Sequence, residues 1–163
     1  MAQKFFIPLR KLLESFIQLD VDQIAYDIAQ TSTFKRLVIS LNTEGEPTSQ
    51  LYELGEDSLG KGLQGKTILK DGEYTPFTKN EKSIVGQRYD HPTLKYTGAF
   101  YASFVVKPYK GGFEIDADPV KDDTNLFDEL GKDILGLNDE NLQIVINFYK
   151  DAILESLEQI KAA

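Results

Sequence analysis

The chain has 163 residues, a length typical of one domain that buries a core without disulfides or structural metals. It carries 18 basic and 26 acidic residues, for a net charge of −8, with one histidine and no cysteine. This composition excludes disulfides, cysteine nucleophiles and metal sites built on cysteine or on several histidines, and the acidic balance argues against a protein that coats nucleic acid.

The charges are unevenly distributed along the chain. Residues 1–60 carry 5 basic and 9 acidic side chains, residues 61–121 carry 10 and 7, and residues 122–163 carry 3 and 10, which gives −4, +3 and −7. Blocks of this kind are often only solvated surface. The order also favours self-association, in which the middle of one copy meets the acidic end of the next.

The first 55 residues are predicted to be helical. Apolar residues recur at helical spacing in four segments, over residues 9–18, 24–29, 34–41 and 47–54. Asp20 or Asp22 can cap the second helix, and Gly55 is a favourable end for the fourth. Charged residues at positions 10, 11 and 14 interrupt the apolar N-terminal run, so we expect neither a signal peptide nor a membrane-spanning segment.

Residues 56–92 are predicted to form an extended, loop-rich segment. Glycine recurs there without helical period, so at most short strands are expected, such as residues 67–70 before the Asp71-Gly72 turn. A short helix is predicted from Thr78 to Val85, with Gly86 at its end.

Residues 93–163 are predicted to form a hairpin followed by a long helix. Apolar and polar residues alternate over residues 103–107 and 112–116, which predicts a β-hairpin at about 103–116. Asn138 is a favourable N-cap for a final helix with an apolar stripe from Leu142 to Ile160. Its apolar surface is broad, so it is either buried between the hairpin and the N-terminal helices or covered in part by a partner.

These elements predict an α+β fold in a single domain spanning residues 1–163. It consists of a helical N-terminal part (1–55), the loop-rich excursion (56–92), and the hairpin plus C-terminal helix (93–163). We expect a small antiparallel β-sheet with the long C-terminal helix packed on it.

No motif predicts catalysis. The segment Gly60–Thr67 matches the sequence pattern of a phosphate-binding loop, but no buried strand is predicted before it and no helix is predicted after it. His91 has no nucleophile in a suitable context. The acidic run of Asp116, Asp118 and residues 122–123 is more typical of turns and caps, although a weak calcium site is an alternative. We therefore predict no catalytic residue, metal site or cofactor.

Three segments in a fixed order resemble a known family. They are DGEYTPF (71–77), LKYTGAFYASF (94–104) and NLFDELGKDILGLNDE (125–140). Their order and spacing are similar to those of the virion morphogenesis and tail-completion family of tailed bacteriophages. Tyr74 stands where that family often has tryptophan, and Phe100 replaces its usual leucine. The residues that carry the resemblance are Tyr74, Pro76, Thr97, Gly98, Phe100, Ser103, Phe127, Gly131, Leu135, Gly136 and Leu137.

Most of these residues have a structural interpretation. Thr97 can cap a short helical turn into which Gly98 lets the chain bend, and Gly131 suits the end of a helix over residues 126–130. Residues 135–137 are expected to form a buried connection into the last helix. These residues are therefore interpreted as determinants of the fold.

The resemblance implies a structural virion protein, and not an enzyme. It would complete the tail or the head–tail junction as a homo-oligomeric ring around the DNA channel, with neck, tail-tube or tail-terminator proteins as partners. DNA would be passing cargo, membranes would not be contacted, and the protein would reside in the virion after assembly in the host bacterial cytoplasm. The alternatives are another neck or connector protein, a small hydrolase or nucleotide-binding enzyme that uses Gly60–Thr67, and a monomeric binding module.

Overall fold

The computed structural model describes residues 20–121 and 124–162, with side chains up to Gln159. The helix predicted over residues 9–18 lies outside these residues. Helices begin and end the described chain and a β-hairpin lies between them, which confirms the predicted α+β class and the long C-terminal helix.

The described elements follow one another in a simple order. They are α1 (Val21–Gln30), α2 (Ser32–Asn42), a π-helical turn (Gln50–Leu54), α3 (Pro76–Ile84), α4 (Ala99–Ala102), β1 (Val105–Tyr109), β2 (Gly112–Asp116), β3 (Val120–Lys121), β4 (Thr124–Asn125), α5 (Leu126–Leu130), a 3-10 turn (Lys132–Ile134) and α6 (Asp139–Ala162).

Polar side chains set the starts of the main helices. Asp20, Thr31 and Asn138 each accept a hydrogen bond from the backbone N–H three residues later, at 3.0, 3.2 and 2.9 Å. An N-cap of this kind satisfies one of the free amides of the first turn. Asp20, and not Asp22, is therefore the cap of α1, and Asn138 is confirmed as the cap of α6.

The helix predicted over residues 47–54 is shorter than expected. Ser49 Oγ accepts a hydrogen bond from Glu46 N–H at 2.9 Å and donates one to the carbonyl of Ser40 at 2.6 Å. These bonds hold residues 46–49 as a turn against α2, so helical structure begins only at Gln50. The predicted end is confirmed, because Gly55 adopts φ +65°.

The loop-rich excursion contains one helix and little strand. Helix α3 begins at Pro76, earlier than the predicted Thr78, because the Thr75 hydroxyl caps it and proline suits the first helical position. The strand predicted over residues 67–70 is reduced to a single bridge between Ile68 and Tyr74.

The hairpin is a two-stranded antiparallel sheet. Strand β1 begins at Val105, two residues later than predicted, because the preceding residues form α4 and its C-cap Ser103. Pro108 pairs with Phe113 within the sheet, where both strands are edges and its missing N–H is tolerated. A second two-stranded ladder, β3–β4, follows the hairpin and was not predicted.

Among the described residues, the core consists of two apolar clusters. The first is centred on Leu51, Leu63, Phe100, Tyr101, Phe104, Ala117, Leu126 and Ile134. The second is centred on Ala29, Phe34, Val38, Leu41, Val106 and Val145. Ile39 and Ile115 contact both clusters, so α2 and the hairpin connect them.

Helix α6 packs on the second cluster by a narrower face than predicted. Val145 is buried, and Phe148 and Tyr149 pack against the ring of Phe34 with centroids 5.8 and 4.9 Å away. Leu142 starts the predicted stripe but is exposed, so the stripe is divided between the core and the surface of the described chain.

A buried amide cluster orients α6. The Asn141 amide donates hydrogen bonds to the carbonyls of Leu41 at 3.2 Å and Thr48 at 2.8 Å. The Gln50 Oε1 atom accepts from the backbone N–H of Asn138 at 2.6 Å. Because buried carbonyls and amides need partners, these contacts hold the start of α6 against the end of α2.

We predict that Asn141→Ala lowers the free energy of unfolding by about 2–3 kcal/mol, since it leaves buried carbonyls without a donor. Gln143→Ala is the matched control, because Gln143 is exposed on the same helix, and it should change stability by less than about 0.5 kcal/mol. Urea unfolding measures both. Equal effects of the two substitutions would show that the amide cluster does not hold the helix.

Candidate functional site

A cleft of about 310 Å³ opens beside α3. Its walls come from α3, from the turn that precedes it, from residues 94–96, from Lys121 and from residues 124–130. The side chains that matter below are Tyr74, Phe77, Lys82, Leu94, Tyr96 and Leu126. We call this site the α3 cleft.

Lys82 is the unusual residue of the α3 cleft because it is only 4% exposed. Its ammonium donates hydrogen bonds to Thr93 Oγ1 at 3.2 Å and to the carbonyl of Lys95 at 2.5 Å, and it lies 4.9 Å from the centroid of the Tyr74 ring. Within residues 20–121 and 124–159, no carboxylate forms an ion pair with it. Burial lowers the pKa of Lys82 to about 8.

A strained residue forms part of the cleft wall. Leu94 has φ +54°, a left-handed conformation that a leucine rarely adopts. The preceding residue is held on both sides, because Thr93 N–H donates to the Tyr74 hydroxyl at 2.8 Å and the Tyr101 hydroxyl donates to the Thr93 carbonyl. Burial raises the pKa of Tyr101 well above its usual range, so this hydroxyl stays a donor. Together with Lys82, these contacts hold the strained segment in place.

Two exposed aromatic side chains line the α3 cleft, and an exposed isoleucine lies farther along α3. Phe77 and Tyr96 line the cleft and are 74% and 38% exposed, and Ile84 lies two turns after Phe77 on the same helix and is 72% exposed. Large apolar side chains grouped at a cleft are typical of a surface that binds a partner.

A second apolar surface lies on α6. Leu142, Ile146 and Leu154 fall on one side of the helix at spacings of four and eight residues, and each is between 42% and 50% exposed. Exposed acidic residues accompany them in the second half of the helix, namely Asp151, Glu155 and Glu158. We call the surface formed by Leu142, Ile146 and Leu154 the α6 outer face.

The first segment of the resemblance contributes directly to the α3 cleft. Tyr74 is 4% exposed and supports both Lys82 and Thr93. Pro76 occupies the first position of α3 and so helps to set the direction in which that helix leaves the turn.

The second segment builds the first core cluster. The N-cap of α4 is Gly98 with φ +84°, and not Thr97, whose hydroxyl instead accepts a hydrogen bond from Ala99 N–H at 3.3 Å. Glycine adopts a left-handed backbone without the steric cost that other residues have. The N-cap of α4 therefore falls at Gly98, one residue later than predicted. Phe100 is buried in the cluster, and Ser103 Oγ accepts from Asp118 N–H at 3.0 Å, which ties α4 to the chain after the hairpin.

The third segment connects the two clusters. Phe127 and Leu135 pack on the first cluster, and Leu137 packs on the second. Gly131 ends α5 with φ +83°, as predicted. Gly136 has φ +112°, and its N–H donates to Asn42 Oδ1 at 3.1 Å.

The residues of the resemblance are therefore spread through the framework, and Tyr74 is the one that lines the α3 cleft. Sequence reasoning missed Lys82, Thr93 and Leu94. A buried lysine in a short helix has no sequence signature, and the strain at Leu94 depends on contacts from residues 74, 82 and 101.

The segment Gly60–Thr67 does not have the geometry of a phosphate-binding loop. Lys66 and Thr67 lie in a turn that leads to the isolated bridge at Ile68, and the backbone N–H of Lys66 donates to the carboxylate of Glu129 at 2.7 Å. A phosphate-binding loop instead directs its amides at a ligand and opens a helix.

His91 and the acidic run have structural partners. His91 Nε2 lies 2.8 Å from the carbonyl of Tyr52, and its ring packs where a side chain at Gly55 would otherwise be. Asp116 pairs with Lys107, and Asp118 accepts a hydrogen bond from Val120 N–H at 3.0 Å. Residues 122–123 lie outside the described chain, and the described residues contain no group of three histidine or acidic side chains that could hold a metal ion.

Comparison with protein families, with curated proteins and with solved structures finds no match to this chain. In the part of the chain that the structure describes, no helix is both long enough and apolar enough to cross a membrane.

We predict that Tyr74→Phe destabilises the fold by about 1–3 kcal/mol, because the buried N–H of Thr93 loses its acceptor. Tyr89→Phe is the control, since Tyr89 is exposed. Chemical unfolding compares the two, and a Tyr74→Phe variant as stable as Tyr89→Phe would contradict the role given to the hydroxyl.

We predict that Lys82 makes stability rise with pH. Its pKa is about 8 in the folded protein against about 10.4 in an unfolded chain, so the unfolded chain holds more protons between these values and folding is favoured as pH increases. Relative to Lys82→Met, the wild-type protein should gain on the order of 2 kcal/mol between about pH 7.5 and pH 10.

The measurement is urea unfolding at several pH values. The difference in free energy of unfolding between wild type and Lys82→Met removes the contribution of the groups that the two proteins share. Lys70→Met, at an exposed position, is the control and should show no such trend. If the difference in free energy of unfolding between wild type and Lys82→Met stays constant or falls as the pH rises, the lowered pKa of Lys82 is contradicted.

Proposed function

We propose that this protein acts by assembly, as a structural virion protein of a tailed phage that completes the tail or the head–tail junction. It would form a ring of copies around the DNA channel, contact neck, tail-tube or tail-terminator proteins, and reside in the virion. The proposal rests on the resemblance carried by residues 71–77, 94–104 and 125–140 together with the surface of α6.

The positions of the resembling residues support a shared framework. They cap helices, fill the first core cluster or connect the two clusters, as Gly98, Phe100 and Gly136 illustrate. Residues in these positions define a fold. A protein that works by assembly needs such framework residues and does not need a catalytic group among them.

The α6 outer face is the observation that carries the proposal of assembly. Leu142, Ile146 and Leu154 are each at least 42% exposed on a helix of 24 residues. A row of large apolar side chains on one helix is typical of a surface that packs against another protein. A protein that works by contact with neighbours needs such a surface.

The acidic charge suits a protein through which DNA passes. The final 42 residues carry 10 acidic and 3 basic side chains, and Asp151, Glu155 and Glu158 are exposed on α6. Carboxylates repel the phosphates of DNA, so DNA would move past these side chains without binding to them. DNA is therefore proposed as cargo.

We expect particles made without this protein to accumulate as separate heads and tails, because the junction would lack one component. Electron microscopy of such particles is the measurement, after complementation with wild-type protein as the reference. Heads and tails that join normally without the protein would overturn the proposal.

The same complementation tests the α6 outer face. A variant with Leu142→Ser, Ile146→Ser and Leu154→Ser should fail to restore joined particles, whereas Gln143→Ser with Asn147→Ser on the same helix should restore them. Thermal unfolding of the purified variants establishes that both fold. Full restoration by the triple variant would remove the α6 outer face from the proposal.

A further inference from the structure

Lys82 is a buried cation that forms no ion pair with a carboxylate of the described residues. Its ammonium donates to Thr93 Oγ1 at 3.2 Å and to the carbonyl of Lys95 at 2.5 Å, and both acceptors are neutral. The third N–H of the ammonium makes no hydrogen bond within residues 20–121 and 124–159. Because burial of a charge without an opposite charge costs free energy, this ammonium is a favourable place for an anion to bind.

The ammonium of Lys82 lies at the wall of the α3 cleft. Lys82 lines the cleft, and so do two of the residues that contact its Nζ atom, namely Tyr74 through its ring and Lys95 through its carbonyl. A ligand inside the cleft would therefore lie next to the ammonium.

The other charged side chains that line the cleft are evenly divided between the two signs. They are Lys95 and Lys121, and Glu81 and Glu129, and Lys95 already pairs with Glu44. Together these side chains do not favour an anion, and the two carboxylates would repel a ligand that carries several negative charges, such as a phosphate monoester. The unpaired charge of Lys82 therefore favours a ligand with a single negative charge.

The size and the lining of the cleft indicate the rest of the ligand. Its volume of about 310 Å³ is at the lower end of the range for small-molecule pockets, which is roughly 300–1,000 Å³. Apolar side chains form much of its wall, namely Ile68, Phe77, Leu94, Leu126 and Leu130. A small ligand with an apolar body would bury its surface against these side chains.

We propose that the α3 cleft binds a small apolar carboxylate, whose carboxylate group pairs with the ammonium of Lys82 and whose body packs against Phe77, Leu94 and Leu126. The carboxylate supplies the opposite charge that Lys82 lacks, and it stabilises the protonated amine. This binding site does not depend on the proposed function in assembly.

Phenylacetate and phenylacetamide are the probes, because they have similar apolar bodies and differ in the charge that the proposal requires. Titration of the wild-type protein at pH 7, followed by ¹⁵N NMR of the backbone amides, measures both affinities. We expect phenylacetate to bind about tenfold more tightly, as is typical of a hydrogen bond between charged groups. The largest shifts are expected in residues 74–82, 94–96 and 124–130, which form the cleft.

The preference for phenylacetate should disappear as the pH rises. The pKa of Lys82 is about 8, so its amine is mostly charged at pH 7 and mostly neutral at pH 9.5. The ratio of the two affinities should therefore fall from about tenfold at pH 7 to nearly one at pH 9.5.

Substitution of Lys82 provides a further measurement. Lys82→Met keeps an apolar side chain of similar length and loses the charge, so it should bind the two probes equally at pH 7. Lys70→Met, at an exposed position, is the matched control and should keep the preference for phenylacetate. The comparison of the two probes on the wild-type protein needs no variant, so the test holds even where Lys82→Met does not fold.

Three results would refute the site. The first is that the wild-type protein at pH 7 binds the two probes equally or binds neither. The second is that the shifts are confined to residues outside the cleft. The third is that the preference for phenylacetate persists at pH 9.5 or in folded Lys82→Met. None of these results bears on whether heads and tails join without the protein.

Discussion

The buried contact between Asn141 and the end of α2 is the constraint on which the rest of the structure depends. Its amide reaches the carbonyls of Leu41 and Thr48, and this sets the rotation of α6 about its own axis. Two buried atoms of the amide cluster, Gln50 Nε2 and Asn141 Oδ1, have no hydrogen-bond partner in the described part of the chain. The cluster therefore orients α6 but lowers the stability that full hydrogen bonding would give. Because Asn141 faces inward, Leu142 one position later faces outward.

A second set of polar contacts shapes the other surface. Tyr74, Tyr101 and Lys82 hold the chain at Thr93, and Leu94 keeps a left-handed conformation as a result. Such a conformation costs on the order of 1 kcal/mol or more and persists only where its surroundings enforce it. The concave surface beside α3 and the convex row on α6 therefore both result from buried hydrogen bonds and not from apolar packing alone.

Much of the fold could be predicted because its signals are local. Asn138 caps the last helix through a bond to a residue three positions away, and Gly131 ends α5 through its own backbone conformation. The hairpin follows from alternation over a few residues. The start of the helix predicted over residues 47–54 was wrong because Ser49 bonds to the carbonyl of Ser40. The predicted start of β1 was wrong because α4 and its C-cap Ser103 occupy the preceding residues.

The sequence by itself determined the fold class, the N-cap of α6 at Asn138, and the helix ends at Gly55 and Gly131. It also determined the division of charge into −4, +3 and −7. Only the tertiary structure decided which part of the long apolar stripe on α6 is exposed, and that Lys82 is buried with hydroxyl, carbonyl and aromatic neighbours. The physical reason is range: helix caps and strand alternation act within a few residues, whereas the exposed row and the cleft depend on hydrogen bonds between residues about ten to a hundred positions apart.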